Sequence, residues 1–396
     1  MAVAAHKSNA KAPAANREYA PYLEAKWGLK NHWYPALFSH ELPDKLVKGV
    51  MIAGHEIALR RAKGKVYALA DRCAHRGVRM SKKSMCLTDE HLTCWYHGFT
   101  YGLDDGVLKT ILASPEDPQI GRVKIRTYPV HERNGMIWVF VGDEDYHPIP
   151  PLESDLPMRI TDDKNPVGYL LDDKLFVRGI HLTGNSNWRL AVENAFDPGH
   201  ILIHYDNPLV VATDRKLALG WEPTAPEAVE MIDQPGGPKG IMNRYDTGFY
   251  NYVMENKVTG MKVYGKNDHY LRTSMWMPGV ILVEHWPVTG IAQYEWFVPI
   301  DDTHHEYWEV IVGRAETEEE MREIEFKYTH FFEPLGLRDF NSNDLFAREA
   351  MEDFYASMDG WNREELCKLD AVVVGWRRLA ARFNRGIQEP PIGRRG

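Results

Sequence analysis

Cys73-Ala74-His75-Arg76-Gly77 and Cys94-Trp95-Tyr96-His97-Gly98 are the two stretches on which the reading of this chain turns. Each loop supplies one thiol and one imidazole, and eighteen residues lie between His75 and Cys94. A zinc site of two cysteines and two histidines ordinarily pairs Cys with Cys on a hairpin and His with His on a helix. Mixed pairs fit better a [2Fe-2S] cluster with two thiolates on one iron and two imidazoles on the other. Neutral ligands there raise the potential to roughly −150 to +300 mV, so the centre accepts electrons rather than acting as a strong reductant. The competing readings are a structural zinc, or buried cysteines beside unrelated histidines. One Cys-x-His is common by chance; both pairs at this spacing in a β-rich segment are a strong signal. Cys86 and Cys367 lack such partners and read as small buried hydrophobes.

Around these loops, from Asn31 to about Tyr146, short strand-like runs alternate with turn residues. The runs are 49–57, 66–70, 98–102, 123–130 and 136–141, punctuated by Asp104-Asp105-Gly106 and Asn134-Gly135. This predicts a small, mostly antiparallel β domain. Pro148-Ile149-Pro150-Pro151, with polar residues through Asn165, marks a boundary. Beyond it the pattern predicts helices over 188–195, 198–203, 317–332, 344–356 and 363–383, and strands over 275–283 and 294–300.

A chain of 396 residues, 44% hydrophobic and 26% charged, is long for one core and has the composition of a soluble globular protein. No apolar run reaches the roughly 18 residues that a membrane span needs. Residues 1–16 are Ala-rich without the apolar centre of a secretory signal and read as a disordered leader, a transit peptide being the alternative. Four cysteines in so long a chain point to a reducing cytoplasm and make metal ligation the live question. Residues 1–135 hold 21 Lys and Arg against 13 Asp and Glu, a surplus of 8, which leaves 26 against 43, a deficit of 17, for the remainder. This is either ordinary solvated surface or a basic first domain that steers an acidic protein partner. The basic residues form no long run or recognised motif for nucleic acid.

The second constellation runs from Asn187 to His204. Asp197-Pro198 is a good helix start, Asp as a cap and Pro at the first helical position. On an α-helix His200 and His204 then share one face about 6 Å apart, so both imidazoles reach one metal of open identity. Far downstream, Phe340-Asn341-Ser342-Asn343-Asp344 opens a helix. Spacing alone favours reading Asp344 as a charge suited to a helix N-terminus.

With these residues in view, the chain resembles the Rieske non-haem iron oxygenases. Respiratory Rieske subunits brace the two loops with a further cysteine pair that has no counterpart here. The resemblance implies an N-terminal antiparallel β Rieske domain over 31–155 and a larger α+β catalytic domain over 156–396. The latter is an antiparallel sheet with helices in a helix-grip arrangement, and residues 1–30 are a leader and a helix associated with it. It implies the [2Fe-2S] cluster on Cys73, His75, Cys94 and His97, and a mononuclear Fe(II) on His200, His204 and Asp344, with positions left for O2. It also implies catalytic roles for Asn194 and for Asp197, the latter bridging His200 to a cluster histidine, His97 or less readily His75, of another subunit. That requires a ring of subunits.

Within the family, the resemblance is to the branch that dioxygenates carbazole, from Asn31-His32-Trp33-Tyr34-Pro35 to Gly386-Ile387-Gln388. It includes Glu295–Asp301, Ala347–Met351 and Gly375–Ala380. It implies an α3 homotrimer fed with electrons from NAD(P)H by a reductase and a ferredoxin docking on the basic Rieske face. The activity implied is angular dioxygenation of a fused aromatic N-heterocycle, giving 2'-aminobiphenyl-2,3-diol from carbazole. The substrate-pocket positions are Ala195, Trp286 and Phe340. Two depart from the pattern: Ala195 replaces a glycine whose carbonyl can still hold an N–H, and Trp286 replaces a phenylalanine. The alternatives are a Rieske monooxygenase or demethylase on another aromatic, which shares every ligand, and an electron carrier with the cluster alone.

Overall fold

The computed structural model describes residues 18–159, 167–212, 229–232, 239–243, 253–255, 257–259, 262–264 and 272–391. The expected leader over 1–16 and the polar end of the expected boundary, 160–165, lie outside the described residues.

The strand Met136–Val141 carries Ile, Trp, Val and Phe and is buried at every position, as β-branched and aromatic residues favour. It forms the centre of a three-stranded antiparallel sheet between His32–Phe38 and Val130–Arg133. A four-stranded sheet runs in the order Val47–Ile52, His55–Ala62, Lys65–Ala70, Thr127–Tyr128. A small third sheet holds His91–Thr93, Phe99–Gly102 and Leu108–Ile111. One Cys-His loop follows Lys65–Ala70; the other links His91–Thr93 to Phe99–Gly102.

Beyond them lies a seven-stranded antiparallel sheet, ordered Leu175–Gly184, His305–Arg314, Ile291–Pro299, Val280–Glu284, Arg272–Trp276, Gly240–Asn243, Val229–Ile232. The helix Trp188–Phe196 starts where the Asn187 side chain accepts from the Arg189 N–H, which satisfies an otherwise free donor. It packs against Ile291–Pro299 and the helices Asn341–Ser357 and Ala371–Phe383. Trp188, Val192, Phe297, Tyr307 and Trp376 share that core. The early helix Ala20–Glu24 lies on Ala371–Phe383, and the Trp188 indole donates to the Ala25 carbonyl at 2.8 Å. The expected α+β class, β domain first and a larger helix-covered sheet second, is what the chain forms. No helix among the described residues is long and apolar enough to cross a membrane.

Several expected elements divide differently. The run 49–57 is two strands joined at Ala53-Gly54, both with positive φ (48° and 76°); the hairpin was hidden because it lacks Asn-Gly or Asp-Gly. Pro278 splits 275–283 in the same way. The helix over 363–383 begins only at Ala371. The helix over 317–332 starts as expected, with Thr317 and Glu320 capping each other, but widens into a π-helix over Tyr328–Phe340.

The two sheet regions share one core, in which Trp138 and Trp296, each 1% exposed, meet edge-on at 5.4 Å. Trp296→Ala is expected to cost about 3–5 kcal/mol in denaturant unfolding. At the rim, His181 stacks on Trp308 and donates from Nδ1 to Glu306 (2.6 Å) and from Nε2 to Glu41 (3.1 Å). Burial would lower its pKa, but the two carboxylates overcome this and raise it to about 9. A raised folded pKa contributes stability that is present below about pH 6.5 and lost as pH rises through about 9. His181→Gln is therefore expected to flatten the fall in melting temperature across that window.

Candidate metal centres

The two Cys-His loops repeat one turn. In each, a glycine four residues after the cysteine donates its N–H to that cysteine's carbonyl, Gly77 to Cys73 at 2.8 Å and Gly98 to Cys94 at 3.0 Å. Both glycines have positive φ, 69° and 70°, a region where L side chains are strained. At Gly98 a Cβ would also come within 2.7 Å of Leu112.

The turns bury Cys73 and Cys94 and leave His75 and His97 exposed, with their Nδ1 atoms 3.1 Å apart. The four ligand atoms do not converge on one point. Among the described residues, the one group of three or more His, Cys, Asp or Glu that does is His200, His204 and Asp344. Two pairs rather than one tetrahedron fit a two-iron cluster and not a single zinc. The Cys73 thiol is held down at about 6, first by its hydrogen bond with Cys94, and by Tyr101 and the His75 N–H. Cys94, facing that developing thiolate, is pushed up. Tyr101, which the sequence reading missed, lies 3.3 Å from Cys73 Sγ and accepts the Ala74 N–H at 3.1 Å.

The second centre is held by a turn and a helix. Asp197 ends Trp188–Phe196, and its Oδ1 accepts the Gly199 N–H at 2.7 Å. The segment Pro198–His204 is a 3₁₀-helix, not the expected α-helix. In that geometry residues four apart are turned about 120° from each other. The imidazoles nevertheless meet, ring planes at 87° and centroids 5.5 Å apart, because Asp344 lies against both. Its carboxylate oxygens are 3.6 Å from His200 Nε2 and 3.5 Å from His204 Nε2. His200 Nδ1 donates to the Asp197 carbonyl, which leaves Nε2 for a metal. His204 is fully buried, stacks on Phe340 at 3.7 Å, and has no hydrogen bond on either ring nitrogen.

Asp344 does not open a helix: Asn341–Ser357 continues directly from the π-helix Tyr328–Phe340, so no free N-terminus exists for it to favour. Burial would raise its pKa, but the two histidines and Arg348 prevail and hold it at about 2. Burial lowers His200 and raises Asp197. One buried and one half-buried imidazole and a buried ionised carboxyl, with orphaned polar atoms between them, fit a divalent iron with open positions.

Ala195, Trp286 and Phe340 are brought together as expected, lining one cavity with His200 and Asp344. Asn194 is engaged by Arg348, whose Nε donates to its Oδ1 at 2.6 Å. Arg348, Glu295 and Tyr307 escaped the sequence reading. Arg348 stands one turn after Asp344 on the same helix, and Glu295 shares a mostly apolar, wholly buried strand with Gln293; these positions mark polar residues without showing that they meet in one cavity.

The comparisons agree with this geometry. Residues 32–129 match the Rieske [2Fe-2S] domain and residues 140–388 the family "Homotrimeric ring hydroxylase". The chain belongs to the Rieske ring-hydroxylating oxygenases, as the terminal oxygenase with a Rieske [2Fe-2S] cluster and a mononuclear iron for cofactors. It is 39% identical to the terminal oxygenase component of carbazole 1,9a-dioxygenase from Metapseudomonas resinovorans, over 93% of this chain and 94% of that one. The solved carbazole oxygenase from Novosphingobium sp. KA1 is 38% identical, with TM-score 0.86 over 94% of this chain and 98% of that one. The solved 2-oxoquinoline 8-monooxygenase component is 46% identical, with TM-score 0.90 over 98% of this chain and 93% of that one.

Asp344→Ala is expected to lower bound iron from about three to about two per chain while the cluster's absorbance and EPR signal persist. Cys73→Ala is expected to abolish that signal.

Proposed function

We propose that this oxygenase acts on a flat, fused aromatic N-heterocycle, with electrons that start on NAD(P)H and arrive through a reductase and a ferredoxin. One observation carries the reading: His200 and Asp344, which with His204 form one ligand set, border a cavity walled by Ala195, Ile281, Val283, Trp286 and Phe340. Cys73, His75, Cys94 and His97 would hold the cluster, and the triad the mononuclear iron. Once bound, these groups supply single-electron transfer and activation of O2.

The chain's own residues do the rest. The Asp197 carbonyl fixes the tautomer of His200, and Phe340 fixes the ring of His204 by stacking. Trp286 and Phe340, 5.1 Å apart, form an aromatic wall against which a flat ring lies. Among the described residues no hydrogen bond or ring contact joins His75 or His97 to Asp197, His200 or Asp344. This supports an α3 homotrimer in which Asp197 meets His97 of the partner subunit. The surplus of 8 basic residues over 1–135 suits an acidic ferredoxin. Thiol ligands suit the reducing cytoplasm.

For the reaction, angular dioxygenation of carbazole or an analogue places both oxygen atoms on adjacent carbons, one bearing the nitrogen. The hemiaminal then opens to 2'-aminobiphenyl-2,3-diol. A second reading, monooxygenation of a two-ring lactam, is favoured by the 46% identity to the 2-oxoquinoline enzyme. Incubation with carbazole and with 2-oxoquinoline under ¹⁸O₂, with ferredoxin, reductase and NADH, separates them: two labelled atoms per product support the first, one the second. Trp286→Phe is expected to raise the rate on carbazole relative to 2-oxoquinoline several-fold. Failure to oxygenate either compound overturns the proposal.

A further inference from the structure

The cavity beside the triad holds two charged side chains that the chemistry above does not use. Arg348 is fully buried and Glu295 8% exposed, and both line the cavity. A carboxyl in an apolar wall is costly unless something hydrogen-bonds it. Glu295 is fixed by two donors, Gln293 Nε2 to Oε1 at 2.8 Å and the Tyr307 hydroxyl to Oε2 at 2.6 Å. These lock the carboxyl in place and leave it lone pairs to accept more. The Arg348 guanidinium is locked as well, lying over Tyr307 at 4.4 Å and Phe297 at 5.0 Å with Nε on Asn194. Its Nη1 and Nη2 are buried and have no hydrogen-bond partner. Two bare guanidinium nitrogens at the wall of a substrate cavity leave a donor set unmatched, which is unfavourable until a ligand accepts from it.

We propose that Glu295 and Arg348 are a paired acceptor and donor that read the N–H and C=O of a cyclic lactam along one edge of the substrate. The pair deepens the functional reading above and rests on it. A lactam carries its donor and acceptor on neighbouring ring atoms, as this wall carries an acceptor and a donor. A carbazole satisfies only Glu295, and a hydrocarbon such as fluorene neither. Glu295 and Arg348 are thus specificity-determining residues, lining the same cavity as Trp286 and Phe340.

The test is equilibrium binding to the iron-loaded holoenzyme, by calorimetry without reductant, so that no turnover occurs. The probes are 2-oxoquinoline, its N-methyl derivative, carbazole and fluorene. The wild type is expected to prefer each N–H compound over its N-methyl or CH2 counterpart by at least about tenfold. Glu295→Gln is expected to reduce both preferences below about twofold with iron content unchanged. Arg348→Met, with its iron content checked, is expected to weaken 2-oxoquinoline about tenfold more than it weakens carbazole. If the preferences survive Glu295→Gln, the N–H rests on another acceptor, such as the Ala195 carbonyl, and the proposal falls. It falls too if the wild type shows no preference or binds none of the probes. Equal weakening of both heterocycles in Arg348→Met reduces that residue to a support for Asn194 and removes the donor half. An enzyme that binds the lactam with these preferences yet oxygenates nothing overturns the functional reading and leaves the pair standing.

Discussion

A carboxylate buried between two imidazoles is the constraint around which the catalytic half of this molecule is organised. Asp344 is 4% exposed, and its charge is tolerable only because His200, His204 and Arg348 surround it. The three come from two local devices. His200 and His204 ride a tight 3₁₀ turn that Asp197 starts and Pro198 stiffens. Arg348 lies one helical turn beyond the carboxylate, over the rings of Tyr307 and Phe297. Asp344 itself is delivered by a helix that passes from π to α geometry just before it, and wide turns of that kind recur where proteins build sites.

The electron-accepting centre solves a different problem with a duplicated part. Two glycine-closed turns place a cysteine inward and a histidine outward, so thiolate charge is sheltered while the imidazole edges reach the surface. The hydrogen bonds that Cys73 receives from Cys94, Tyr101 and the His75 N–H favour the thiolate that iron requires.

Much of this was legible in the residues. Cys73, His75, Cys94 and His97 declare themselves by type and spacing, and Met136–Val141 by its unbroken apolar character. The strand Leu175–Gly184 was not legible, because its exposed and half-buried positions carry no clear alternation. Nor was the 3₁₀ turn, since a histidine pair four apart reads as α-helical until Pro198 and the Asp197 cap are weighed together. Asp344 lies against both histidines, and a helix runs into it from upstream so that its charge has no helix end to serve; spacing in the sequence could supply neither fact. Glu295 and Arg348 were overlooked because each, taken alone, looks like an ordinary strand or helix residue. Their meaning arises only when a strand and a helix distant in sequence wall the same cavity.

The shared tryptophan core has a consequence for how such proteins change. The chain reads as two modules strung on a Pro-rich connector, yet Trp33, Trp138, Trp276, Trp296 and Trp308 belong to one continuous apolar cluster. The end of the chain folds back as well, Gln388 donating its N–H to the Gly28 carbonyl at 3.0 Å. Exchanging the front portion for that of a relative would strip a wall from the interior of the rear portion. Variation in electron donor is thereby channelled into surface side chains and loop tips, while the partnership between the two halves is inherited as a unit.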